Sequence, residues 1–127
     1  MSYDLNFWKY RSGVYLEHQS TYERLSNGEA VEGLEVLPIG DLIGALEREF
    51  SARPGWERTD EESWESESSG SFQIFQTPQF LRVDCYGMSG EDMNRIIDIA
   101  ADFGCPLFDP QVGKRYDDWI PPHPQPA

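Results

Sequence analysis

The sequence predicts one α+β domain, an antiparallel β-sheet with helices packed mainly on one face. Segments with period-two alternation cluster between segments with helical spacing, in the order β–α–α–β–β–β–β–α–β. The alternating segments carry one apolar and one polar edge, as strands do in a sheet with one wet face. A length of 127 residues fits a single core, and no repeat or second hydrophobic core is visible.

Tyr3, Leu5 and Phe7 alternate with Asp4, Asn6 and Trp8, which reads as a strand with one buried face. After Gly13, Leu16 to Leu25 reads as a short helix that stops at Asn27-Gly28. Residues Glu29 to Val36 read as an acidic connection. Pro38 opens a second helix, where Ile39, Leu42, Ile43, Leu46 and Phe50 recur at helical spacing and Pro54-Gly55 ends it. Asp41 suits its first turn, and Gly44 inside it marks an expected close packing contact.

Trp56 to Tyr86 reads as β. Trp56–Thr59 and Ser63–Ser66 are short strands, Ser68–Ser71 is a turn, and Phe72–Phe75 and Phe80–Tyr86 are the strongest strands. Thr77-Pro78-Gln79 closes the last two into a hairpin. In the final strand Leu81, Val83 and Cys85 form the expected core face, and Phe80, Arg82, Asp84 and Tyr86 the other. Ser89 N-caps a third helix whose apolar stripe is Met93, Ile96, Ile97, Ala100 and Phe103, with Gly104 as its C-terminal stop. Cys105 to Phe108 is a last short strand. Residues 1–119 are thus assigned to the domain, and the proline-rich 120–127 to an extended, mobile tail.

Composition narrows function. The chain carries 23 Asp and Glu against 10 Lys and Arg, a formal charge of −13. Phosphate binding needs a basic footprint, so a nucleic-acid binder is disfavoured, and so is adsorption to anionic lipid. A content of 39% hydrophobic residues is too rich for a disordered acidic tail. The N-terminus has no signal-peptide pattern, and no apolar run approaches the ~20 residues of a membrane span. Cys85 and Cys105, both in apolar company, read as reduced, buried thiols of a cytoplasmic protein, with a disulfide as the alternative.

Catalytic patterns are sparse. His18 and His123 are the only histidines, and neither they nor the cysteines show metal-ligand spacing. No cofactor motif is present; Gly87-Met88-Ser89-Gly90 matches no phosphate loop. Ser89 lies outside the nucleophile-elbow pattern, and Cys85 with His18 as base requires the fold to bring them together. The chain reads as a non-enzyme.

The distinctive feature is a run of charge. Glu57 to Glu67 holds six acids and one base, a net −5 in eleven residues, with Trp56 and Trp64 beside and within it. One reading is a solvated turn with the tryptophans in the core. The other is a docking patch in which acids steer a basic partner and aromatic groups anchor it. On that reading the contact residues are Asp60, Glu61, Glu62, Trp64 and Glu65, then Asp84 and Tyr86, with Trp64 as the anchor because Ser63 and Glu65 flank it.

Two segments taken together, Tyr3-Asp4-Leu5-Asn6-Phe7-Trp8 and Phe103-Gly104-Cys105-Pro106-Leu107-Phe108-Asp109-Pro110-Gln111, resemble small acidic bacterial proteins. Some of these look like immunity proteins of polymorphic or type VI secreted toxins. The resemblance spans about a third of the chain and carries over no functional residue. It implies a cytoplasmic, non-enzymatic binding protein, and with the charge and the missing catalytic motifs the leading expectation is an immunity or antitoxin-like protein that binds and occludes a cognate toxin. The competing expectations are a small-ligand or enzymatic site, in which Arg82 holds a carboxylate or phosphate, Asp84 acts as base and Tyr86 lines the face, and a general adaptor domain.

Overall fold

A computed structural model describes residues 2–117. The expected tail, 120–127, lies outside them. The order is β1 (Ser2–Phe7), α1 (His18–Ser26), α2 (Ile39–Ser51), β2 (Trp56–Asp60), β3 (Ser63–Ser66), β4 (Gly70–Thr77), β5 (Phe80–Tyr86), α3 (Gly90–Asp102), β6 (Leu107–Asp109) and β7 (Lys114–Arg115). All strand pairs are antiparallel, in one sheet of order β2-β3-β4-β5-β1-β6-β7. This is a single-domain α+β fold.

The principal core lies between the sheet and helices α2 and α3. Leu5, Phe7, Phe72, Ile74, Leu81, Val83 and Cys85 supply its sheet side. Leu42, Leu46 and Phe50 come from α2, and Ile96, Ile97, Ile99 and Ala100 from α3. Ser89 caps α3 as its sequence predicts, accepting the Asp92 N–H at 3.1 Å. The two helices are tied across their outer faces by Arg53, which pairs with Glu49 and Asp92, and by Arg95 to Glu49 at 2.9 Å.

A second, smaller core covers the other face at one end, which the sequence did not foretell. Trp8, Leu25, Val31, Leu34, Phe80 and Phe108 are all buried there. Helix α1 contributes Leu25 and the partly buried Tyr22, so it packs on the face opposite α2 and α3. The segment expected as a plain acidic connection supplies Val31 and Leu34. Gln79 holds it in place by accepting from the Val31 N–H and donating to the Val31 carbonyl. With both faces covered at that end, Leu5, Asn6, Phe7 and Trp8 are all buried and the one-sided reading of β1 fails beyond Leu5. Phe80, expected on the wet edge of β5, is buried for the same reason.

Two smaller expectations also change. A Cβ at Gly44 would meet only the Arg48 side chain, at an ordinary 3.5 Å, so no tight helix contact explains that glycine. Strand β7 has no period to read in two residues, and it forms by pairing Phe108 with Arg115 and Asp109 with Lys114.

Candidate functional site

The outer sheet face on β2, β3 and β4 is left uncovered by the described helices, and the strand register decides which side chains meet on it. Ser2, Tyr86, Ser71, Glu65 and Glu57 form one continuous cross-strand row. Asp4, Asp84, Gln73, Ser63 and Asp60 form the next. At ~4.8 Å per strand spacing, each row runs about 19 Å across five strands. Both rows face away from α2 and α3, because their neighbours Tyr3, Cys85, Phe72 and Trp64 form the alternate row on the helix side.

The register therefore brings together Asp60, Glu65, Asp84 and Tyr86 from the sequence-based set, and adds Glu57, Asp4 and Gln73. Glu57, Asp60, Glu65 and Gln73 are exposed, and Tyr86 is 44% exposed. Glu61 and Glu62 are exposed in the β2–β3 turn at the end of this face. Asp60 shapes the turn by accepting the Glu62 N–H at 2.8 Å. Arg58 clamps it from below, donating to the Asp60 and Glu61 carbonyls and pairing with Glu47 of α2 at 3.0 Å.

Trp64 requires a correction. It is 4% exposed and sits on the helix side, its ring stacked on Phe72 with Phe50 beyond. Polar flanking residues do not mark an exposed side chain in a strand, because each neighbour points to the opposite face. Trp56 is buried in the same aromatic cluster, 5.0 Å from Phe50. Tyr86 is thus the aromatic group that the face itself offers.

Electrostatically the face is uncompensated. Among the described residues Glu57, Asp60, Glu61, Glu62, Glu65 and Glu67 form no ion pair. Glu57 stands directly opposite Glu65, an arrangement that destabilises a strand pair. Together with Gly55, Ser66, Glu67 and Ser68 these two glutamates border a recess of about 460 Å³.

Asp84 behaves differently. It pairs with Arg82 at 3.0 Å and faces Asp4 directly across β1. Partial burial, reinforced by the hydrogen bond with the Asp4 side chain, pushes its carboxyl up to about 6 against the pull of Arg82. The ionised form is the disfavoured one in the folded chain, so the folded protein retains a proton that the unfolded chain has already lost. Stability therefore falls as pH rises from the ordinary aspartate range to about 6, and is level above it. Asp84→Asn is expected to raise the melting temperature at pH 7.5 by a few degrees, on the order of ~2–4 °C, and to leave it nearly unchanged at pH 4. Thermal unfolding by circular dichroism at the two pH values checks this.

Arg82, Asp84 and Tyr86 do share a face, as the small-ligand expectation requires. Arg82 is engaged by Asp84 and lies over the Phe75 ring at 4.7 Å, so its charge is not free for a ligand. Cys85 and His18 do not meet. Cys85 is buried in the principal core as a free thiol, pushed up to about 12 by burial, and His18 lies between Tyr10 and Tyr15. Cys105 is likewise free and buried. No group of three or more His, Cys, Asp or Glu among the described residues could hold a metal ion, and none of the helices is long and apolar enough to cross a membrane.

Fold and site together describe a small α+β domain that presents an open, acidic, antiparallel sheet face. Comparisons with protein-family models, curated proteins and solved structures find no match.

Proposed function

We propose that the chain is an immunity or antitoxin-like protein of the bacterial cytoplasm, which binds a cognate toxin domain and occludes its active site through the open acidic sheet face. The observation that carries this reading is the set of unpaired carboxylates on two adjacent rows, Glu57 and Glu65 continuous with Tyr86 through Ser71, and Asp60 continuous with Asp84 through Ser63 and Gln73. Carboxylates without partners repel one another and weaken the sheet they stand on. They gain when a basic surface covers them, since opposite charge speeds encounter and excludes wrong partners. Toxins that act on nucleic acids or nucleotides commonly have basic clefts of this kind. Tyr86 supplies a partly exposed aromatic ring at the edge of the acids.

The test is co-expression with candidate bacterial toxin domains, taken first from the genes that neighbour this one. The wild-type chain restores growth and binds the toxin. A Glu57→Lys/Asp60→Lys/Glu65→Lys variant loses rescue and associates at least about tenfold more slowly at low salt. Tyr86→Ala weakens affinity by about 2 kcal/mol, chiefly through faster dissociation. Unchanged rescue and unchanged association by the triple variant would remove this face from the interaction.

A further inference from the structure

The end of the sheet away from the acidic face carries the opposite charge. Lys9, Arg11 and Arg115, three of the chain's ten basic residues, line one recess of about 290 Å³. They come from chain segments more than a hundred residues apart. Among the described residues Asp117 is the single carboxylate lining the recess.

Arg115 is the fixed point. Its guanidinium lies against the rings of Tyr10 and Trp8, at 4.6 and 5.4 Å from their centroids. Nη2 donates to the Trp8 carbonyl at 2.6 Å and Nη1 donates to Asp117 at 2.5 Å, while Nε has no hydrogen-bond partner among the described residues. The Arg115 side chain is only 5% exposed, yet its one carboxylate partner is 40% exposed. A buried cation is expensive unless it is well paired, and Asp117 is a half-solvated counter-ion. Asp117 also accepts from the Tyr15 hydroxyl at 2.5 Å, so a carboxylate already sits between a guanidinium and a phenol.

The walls are equally built. Arg11 forms no ion pair among the described residues, and its backbone is locked by bonds to Gly33 and Val14. Lys9 reaches Glu35 at a loose 3.8 Å. Its ammonium passes close to Gly104, where a Cβ would lie 3.2 Å from Nζ and would make the lysine shift slightly.

We propose that this recess binds a small oxyanion, a carboxylate or phosphate group on a compact molecule, which Arg115, Lys9 and Arg11 hold after it displaces Asp117. The site is independent of the acidic face and of any toxin, and either can fail without the other.

The experiment titrates inorganic phosphate, and separately acetate, into the full chain at constant ionic strength. It follows the backbone amides of residues 9–15 and 115–117 by 15N–1H NMR. Saturable shifts confined to those amides are expected with at least one of the two anions. Arg11→Gln and Lys9→Gln, both near the surface, should each weaken binding at least about threefold. Asp117→Asn should strengthen it by a similar factor, because it removes the internal competitor while keeping a hydrogen-bonding side chain. A purely structural Arg115–Asp117 latch predicts no gain of binding in Asp117→Asn. The proposal is overturned if neither anion gives saturable shifts in the wild type and in Asp117→Asn, or if the shifts ignore Arg11→Gln and Lys9→Gln alike.

Discussion

Trp64→Ala is expected to lower the unfolding free energy by about 3–5 kcal/mol, the range for deleting a large aromatic from a packed core. The ring is buried against Phe72, with centroids 6.3 Å apart and planes 10° from parallel, and Phe50 closes the cluster at 6.5 Å. Removing it strips contacts from Phe72 and Phe50, and none of the surrounding strand backbone can collapse into the gap without breaking the β3–β4 pairing of Trp64 with Phe72. The loss is read as a lower urea midpoint with an unchanged slope. Tyr86→Ala, at the exposed edge of the sheet, should change stability by less than about 1 kcal/mol. The pair of variants separates the two aromatic residues cleanly: one holds the fold, the other is available to a partner. A Trp64→Ala protein of wild-type stability would mean that the ring lies outside the core.

Gly70→Ala should be nearly as damaging, with a loss of about 3 kcal/mol. Gly70 has φ +97°, a region L side chains rarely adopt. An alanine Cβ would also fall 2.3 Å from the Tyr86 carbonyl oxygen and 2.7 Å from the Gly87 carbonyl carbon. These are backbone atoms at the end of the paired strand β5, so relief requires moving that end away from β4, where Ser71 pairs with Tyr86. Chemical denaturation gives the stability term. The position of Tyr86 gives a second readout, since its NMR signals should shift in Gly70→Ala while those of the β1–β6 end stay put. If Tyr86 is a contact residue for a toxin, Gly70→Ala should weaken that complex beyond the stability loss.

The local structure was largely legible. Proline, glycine and serine punctuation placed the helices to within a residue or two: Pro38 before α2, Ser89 before α3, Asn27 after α1. The acidic run was legible as charge, and the turn at its centre as a turn. Trp64 shows where local reading stops. Its polar neighbours suggested a surface residue, although alternation in a half-wet strand makes polar neighbours the expected company of a buried one. The smaller core is not legible in the sequence because its members come from five separate stretches, Trp8, Leu25, Val31–Leu34, Phe80 and Phe108. The alternation around Trp8 and Phe80 marks them only as the second face of a strand, and nothing local says that this face is covered.

What the sequence determined by itself is a charge of −13, one α+β domain, the identity of most elements, and the presence of a strongly acidic hairpin. Only the tertiary structure decided which of those acids share a surface. Asp84 and Tyr86 join Asp60 and Glu65 because β4 lies between β3 and β5 in a particular register, and a slip of one residue would turn every one of those side chains to the other face. The same holds for Lys9, Arg11 and Arg115, which converge from the two ends of the chain once β6 and β7 are laid beside β1. Periodicity is a local property of the backbone and survives in the sequence. Register and burial arise from long-range pairing, and no short window of residues contains them.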